Sequence, residues 1–307
     1  MKQKLNKIIF GLSGKTLTQE EKEFFLKSQP LGVILFSRNI ESSEQLQNLT
    51  NSLKDLLPEV KIFIDQEGGR VARIKPPIAK KLYPKAEYFS DLYQKDEKNA
   101  QKEVKENYSE LMSELGSFKI DSPCAPVCDL LYKDAHSVIG DRSFGENVQQ
   151  VVDLCRKAIE AINEQKGIAF VKHIPGHGRS KVDSHHGLPV VDTDLETLEQ
   201  TDFKVFKELA NEPVWAMTAH IIYTALDDKK PATLSSKVIK YIRENIGFKG
   251  PLVTDDICMK ALHTDKNFDW NTSLAKVAKE SIEAGCDIVL HCSGKLDEME
   301  AVWDVIG

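Results

Sequence analysis

Short apolar runs recur along the chain, and between them apolar residues return every three or four positions. The first pattern marks a strand buried on both faces, the second an amphipathic helix packed on one. The runs predict eight strands: Lys7–Leu12, Gly32–Phe36, Lys61–Asp65, Ser122–Val127, Ile168–Lys172, Val214–Thr218, Pro251–Thr254 and Asp287–His291. Helices fill the gaps. Leu46, Leu49, Leu53, Leu56 and Leu57 share a face and stop before Pro58, and Val104, Tyr108, Leu111, Met112 and Leu115 run up to Gly116. Val151, Leu154, Cys155, Ala158, Ile159 and Ile162 end at Gly167, and Leu274, Val277, Ala278 and Ile282 end at Gly285. Thr18 with Glu21 and Thr193 with Glu196 have the spacing of capping boxes, which satisfy the free N–H groups of a helix start. Ser236 opens a helical run that Gly247 stops, and Lys295–Ile306 closes the chain with Leu296, Met299 and Trp303 on one face.

Eight strands alternating with about eight helices over 307 residues is the count for a (β/α)8 barrel. The expectation is therefore an α/β fold: a single-domain TIM barrel over residues 1–307, with its active site at the C-terminal ends of the strands. A doubly wound open sheet is the competitor, and it would place a glycine-rich fingerprint after the first strand. The segment GLSGKT there, starting at Gly11, fits neither that fingerprint nor a phosphate-binding loop. The three prolines of Lys75–Pro84 read as part of a long loop after a strand, not as a linker.

Composition narrows the class. Hydrophobic residues make up 41% and charged residues 29%, as in an ordinary soluble globular protein. A net charge of −6 weighs against a nucleic-acid partner, because neutralising phosphates needs a basic face. Eighteen consecutive apolar residues occur nowhere, so no membrane span is expected, and the apolar stretch Ile8–Leu12 is too short for a signal-peptide core. The six cysteines include no CxxC pair and sit in apolar runs, which suits reduced thiols in a cytoplasm. A cytoplasmic monomer is the expectation.

Candidate chemistry gathers just after the predicted strands. Asp65, Glu67, Arg70 and Arg73 follow the third, Asp129 and Arg142 the fourth, and Lys172, His173, His177, Asp183 and His185 the fifth. His220 follows the sixth and Asp255 with Asp256 the seventh, and His291 ends the eighth. Each has a plain alternative. Alone, the Asp255–Asp256 doublet reads as the N-cap of a following helix, Asp183-Ser184-His185 as a solvated loop, and Arg70 as half of a structural Asp–Arg pair. His173, His177, Asp183, His185 and His186 include metal-ligand types. Pro175 and Gly176 break the helix that HxxxH zinc spacing needs, which makes a metal site the lesser reading.

Taken together, IDQEGGRVAR, IGDRSFG, KHIPGHG, the following DSH and VTDDICMKAL resemble the bacterial β-N-acetylglucosaminidases of glycoside hydrolase family 3 that work in peptidoglycan recycling. The resemblance runs from about Gly32 to Cys292 and agrees with the barrel. It implies Asp255 as nucleophile, His185 as general acid/base and Asp183 as its partner. It also implies that Asp65, Arg73, Arg142, Lys172 and His173 grip the N-acetylglucosamine ring. The implied substrate is N-acetylglucosamine linked to anhydro-N-acetylmuramic acid, a small-molecule sugar cleaved with retention and without metal or other cofactor. A histidine acid/base is workable because its ordinary pKa is about 6.5. The DSH loop, carrying Gly176 and Gly178, is expected to bring His185 to the site when substrate binds. Two departures stand out: Ile174 where an aromatic is common, and Ile257 with Cys258 where leucine and serine are common. Three alternatives stay open: a related phosphorylase, a metal-dependent hydrolase and a non-catalytic sugar-binding protein.

Overall fold

The computed structural model describes residues 6–181, 187–263 and 267–307. Its strands are β1 (Asn6–Gly11), β2 (Pro30–Leu35), β3 (Lys61–Ile64), β4 (Phe170–Ile174), β5 (Val190–Val191), β6 (Trp215–Thr218), β7 (Ile222–Tyr223), β8 (Leu252–Val253) and β9 (Val289–His291). All ladders between them are parallel: β3-β2-β1-β9, β4-β6-β8 and the small pair β5-β7. Single parallel bridges link the two larger sheets: Phe63 to Ser122, Val127 to Lys172, and Val253 to Ile288.

Seven of the eight predicted strands appear as regular strands. The eighth, Ser122–Val127, forms no regular ladder: single bridges hold its two ends, and between them Pro123 O and Ala125 O accept isolated bonds from Gln66 N at 3.0 Å and Phe170 N at 2.8 Å. Pro123 and Pro126 have no N–H to give to a ladder, and Cys124 between them sits at φ 49°, outside the extended region.

The helices are α1 (Gln19–Ser28), α2 (Ser43–Leu56), α3 (Ala86–Tyr93), α4 (Glu97–Ser117), α5 (Val148–Glu164), α6 (Leu195–Gln200), α7 (Asp202–Leu209), α8 (Ser236–Tyr241), α9 (Trp270–Ala284) and α10 (Leu296–Ile306). The Thr18 box forms as expected: Glu21 N donates to Thr18 Oγ1 at 3.1 Å and Thr18 N donates to Glu21 Oε2 at 2.9 Å. The Thr193 box does not. Asp194, one residue on, takes the cap position and accepts from Thr197 N at 2.9 Å. Aspartate outcompetes threonine as an N-cap, and the start shifts by one. No helix among the described residues is long and apolar enough to cross a membrane.

Strand alternation sorts the core into two groups. Ile8, Phe10, Val33, Leu35, Ile62, Ile64 and Val171 pack under the helices. Their strand neighbours Ile9, Ile34, Phe63, Phe170, Met217, Val253 and Leu290 form a separate cluster among themselves. Within it Phe63, Phe170 and the half-buried Trp215 meet at ring separations of 5.6–5.9 Å. Successive strand residues point to opposite faces, so this second group is the inward face of the strands. Ile34, Met217, Leu290 and Cys292 end it and form the floor on which the site rests.

Candidate active site

A cavity of about 460 Å³ opens over that floor, at the C-terminal ends of β3, β4, β6, β8 and β9. Its polar groups come from the last residues of β4, Lys172 and His173, and from the segments that leave the strands, where the chain has quit its ladder and side chains can turn inward.

The loop after β3 supplies a carboxylate pair. Asp65 meets Arg73 Nη2 at 3.2 Å and Lys172 Nζ at 3.4 Å. Glu67 is held harder: Arg142 reaches it with two parallel bonds of 2.8 Å, and Lys172 Nζ lies 2.6 Å from Oε1. Burial favours a neutral Glu67 carboxyl, but the Arg142 and Lys172 charges outweigh it and hold the group well below the usual carboxylate range. The same contacts keep the wholly buried Lys172 protonated, with its pKa above the ordinary one. Gly68 and Gly69, at φ 104° and 56°, fold this loop against the backbone of Tyr83–Lys85, where a Cβ would collide. Arg70 sits on the outer rim, pairing with Asp141 at 2.7 Å and donating to the carbonyls of Ser137, Val138 and Ile139. Its role is structural, as one reading of the sequence allowed, but the partner is Asp141 and the place is the rim.

The β4 end supplies histidines. Asp129 is fully buried. It takes His173 Nδ1 at 2.7 Å, His173 N at 3.1 Å and His177 N at 2.6 Å. One carboxylate thus sets both the ring of His173 and the turn that carries His177, with the two rings 5.4 Å apart. Burial, and then the charge of His173, pull the pKa of His177 down to about 4.

The doublet after β8 divides its labour. Asp256 Oδ1 accepts from Cys258 N at 3.0 Å and Cys292 N at 3.1 Å, tying the loop to the end of β9. Asp255 faces the cavity, half-buried, and Asp256 N donates to its Oδ1 at 2.8 Å. Burial would raise the Asp255 carboxyl, but His173, His220, the Asp256 N–H and Lys172 together hold it below its ordinary value. Neither aspartate caps an α-helix. The chain makes only a short turn at Lys260–Leu262, and α9 begins later with Asp269 as its cap. The N-cap reading is corrected accordingly. Behind Asp255, His220 joins Thr233 Oγ1 at 2.7 Å and the Asp256 carbonyl at 3.0 Å. Burial lowers its pKa, while the nearby Asp255 carboxylate works against that shift.

Of the predicted site residues, Asp65, Arg73, Arg142, Lys172, His173 and Asp255 therefore line one cavity. Asp183 and His185 lie outside the described residues, as does His186. Glu67, Asp129 and His220 are visible in the sequence only as polar residues after strands, with no role attached, and His177 only as a candidate metal ligand.

The family profile described as "Glycosyl hydrolase family 3 N terminal domain" matches residues 3–307. The chain is a family 3 glycoside hydrolase. A β-hexosaminidase of Methylobacillus flagellatus is 32% identical over 308 residues, covering 98% of this chain and 85% of the relative. One from Neisseria gonorrhoeae is 36% identical over 296 residues, covering 93% and 78%. Among solved structures, NagZ from Neisseria gonorrhoeae in complex with N-trifluoroacetyl-D-glucosamine superposes with a TM-score of 0.89 at 32% identity, covering 99% of this chain and 86% of that one. Family 3 membership gives the cavity its chemistry class, glycosidic bond cleavage. An ionised carboxylate facing the cavity and the fixed cations and carboxylates that line it suit that chemistry.

Proposed function

We propose that this enzyme is a retaining exo-β-N-acetylglucosaminidase that removes terminal N-acetylglucosamine from muropeptide fragments in the cytoplasm during cell-wall recycling. The observation that carries the mechanism is Asp255. It is half-buried on the cavity floor, kept ionised, and bonded among the described residues only by the N–H of its own successor. A lone pair on its other oxygen is free to attack an anomeric carbon and form a covalent glycosyl-enzyme, which water then hydrolyses. Asp65, Lys172, Arg73, Arg142 and His173 hold the ring and its hydroxyls. The paired geometry of the first four keeps each group fixed before substrate arrives.

Proton transfer falls to His185 with Asp183, on the segment that follows Gly178. His177 does not suit that task, because with a pKa of about 4 it carries no proton to give near neutrality. The scaffold in this reading is a closed (β/α)8 barrel. The bridges Phe63–Ser122, Val127–Lys172 and Val253–Ile288 support it, because they continue the two parallel sheets toward each other at both edges. Substrate class follows the hexosaminidase relatives and the NagZ neighbour, whose bound sugar is an N-acylated glucosamine analogue.

The test is turnover of a chromogenic β-N-acetylglucosaminide by the wild type and by Asp255→Ala and His185→Ala, with and without chelator and phosphate. The expected result is chelator-resistant release of free N-acetylglucosamine that collapses in both variants. Release of a sugar phosphate makes the enzyme a phosphorylase, and loss of turnover on chelation together with an Asp255→Ala variant as fast as wild type makes it a metal-dependent hydrolase. A wild type that binds the sugar without turning it over is a binding protein.

A further inference from the structure

Beneath the Asp255 loop lies a second cluster of donors that the proposed reaction does not use. Cys258 comes from the segment after β8, His291 from the end of β9 and Glu298 from the first turn of α10. One ligand-type atom from each lies within 4.8 Å of the other two. His291 is fully buried, the Glu298 side chain is 3% exposed, and Cys258 is half-buried.

The polar contacts leave capacity inside the cluster. Glu298 Oε1 is taken by Trp270 Nε1 at 2.8 Å and by Lys295 Nζ at 2.9 Å. Its Oε2 faces His291 Nε2 at 3.4 Å and makes no hydrogen bond of good geometry among the described residues. His291 Nδ1 is likewise buried with no hydrogen bond, and Nε2 has only a 3.4 Å contact with Ser293 Oγ besides Glu298. Buried acceptors are rarely left so, because an unmade bond costs more than a formed one gains. The Cys258 sulfur also lies beside the Asp256 carboxylate.

We propose that Cys258, His291 and Glu298 bind a divalent zinc-class ion. Thiolate, imidazole and carboxylate are a borderline-soft donor set that suits zinc over magnesium or calcium. Zinc bonds of about 2.0–2.3 Å in a tetrahedron put donor atoms roughly 3.3–3.8 Å apart, and these three donors already lie within 4.8 Å of one another, so the ion needs only a small inward shift of each. The thiol gives up its proton to solvent as the sulfur–metal bond forms. Water or the Asp256 carboxylate completes the shell. Two opposing charges lie nearby: the Lys295 side chain, 68% exposed, swings away to solvent at little cost, and the Arg38 guanidinium beside Cys258 and Asp256 is tied to the Leu12 and Cys292 carbonyls. The ion would cross-link three elements: the segment just behind Asp255, the end of β9, and α10. Its role is therefore to brace the wall that carries Asp255, not to touch the sugar.

The test titrates the metal-free full-length protein with cobalt(II) and with zinc. One equivalent of cobalt should give tetrahedral ligand-field bands and a sulfur-to-cobalt charge-transfer band. Cys258→Ser should abolish the latter and weaken binding by about tenfold or more. X-ray absorption on the zinc form of the wild type needs no variant. It should show one sulfur neighbour at about 2.3 Å with nitrogen and oxygen at about 2.0–2.1 Å. A shell of nitrogen and oxygen alone would place the ion elsewhere, for instance at His173 and His177, and overturn the proposal. So would a charge-transfer band that survives Cys258→Ser, or no stoichiometric binding.

Discussion

The two sides of the cavity solve different problems. On the β3 side, Glu67, Arg142 and Lys172 form a buried lattice of charges 2.6–2.8 Å apart, with Asp65 and Arg73 at its edge. On the β8 side, Asp255 stands on the floor with histidines around it and a single backbone N–H on one oxygen. The lattice is rigid because each long side chain is held at both ends, and it does not titrate near neutrality. The Asp255 side keeps a carboxylate charged without capping it, which a nucleophile requires. Pre-set grip on one wall and a spare lone pair on the other is a division of labour suited to a substrate held by its hydroxyls and attacked at one carbon.

The sharpest way to break the comparison is to remove the lone carboxylate. Asp255→Ala should lower kcat on an aryl β-N-acetylglucosaminide by about 10⁴-fold or more, an effect of roughly 5–6 kcal/mol, while urea unfolding shows a folded protein. Activity within tenfold of wild type would move the nucleophile elsewhere.

Next in size is the lattice. Glu67→Gln leaves Arg142 and the wholly buried Lys172 facing a neutral amide. Removing one partner of such a buried pair costs about 3–5 kcal/mol, so the urea midpoint should fall steeply. The mutation should weaken stability more than any single change among the β8-side histidines. A small loss would mean that water already screens the pair.

A pH titration separates the two walls differently. Burial holds His177 neutral, with its pKa pulled to about 4 from an ordinary 6.5. Between those values the unfolded chain takes up a proton that the folded chain refuses. The stability held above pH 6.5 is therefore lost as pH falls toward 4, by about 3 kcal/mol from this ring. His177→Gln should flatten that part of the profile, measured as unfolding free energy at about pH 7 and about pH 4.5. Parallel profiles for variant and wild type would assign the acid sensitivity to other groups.

How much of this was legible beforehand depends on range. The strand and helix periods are local, and seven strands and the Thr18 cap follow from them. The misses were local competitions: prolines that cannot feed a ladder at Ser122–Val127, and an aspartate that captures the cap beside Thr193. That charged groups gather at one end of the strands was also readable, since each follows an apolar run. Their partnerships were not. Glu67 and Arg142 are 75 residues apart, and Asp129 and His173 are 44 apart, and only folding brings them together. The split between Asp255 and Asp256 was equally hidden, because it depends on where β9 delivers the N–H of Cys292.

The smallest prediction asks whether the edge of the lattice belongs to the scaffold or to the substrate. Arg73 is tied to Asp65 by one bond of 3.2 Å, and its buried Nε has no hydrogen bond among the described residues. Phe36 supports the guanidinium 5.6 Å from its ring centre. A half-used donor fork at a cavity wall suits a ligand oxygen better than a structural bond. Arg73→Ala should therefore raise KM about tenfold with kcat nearly unchanged and with stability within about 1 kcal/mol of wild type. A variant that instead loses stability like Glu67→Gln would make Arg73 part of the lattice, and the grip would then rest on Lys172 and Asp65. A fall in kcat with KM unchanged would show that its contact forms only as the transition state develops.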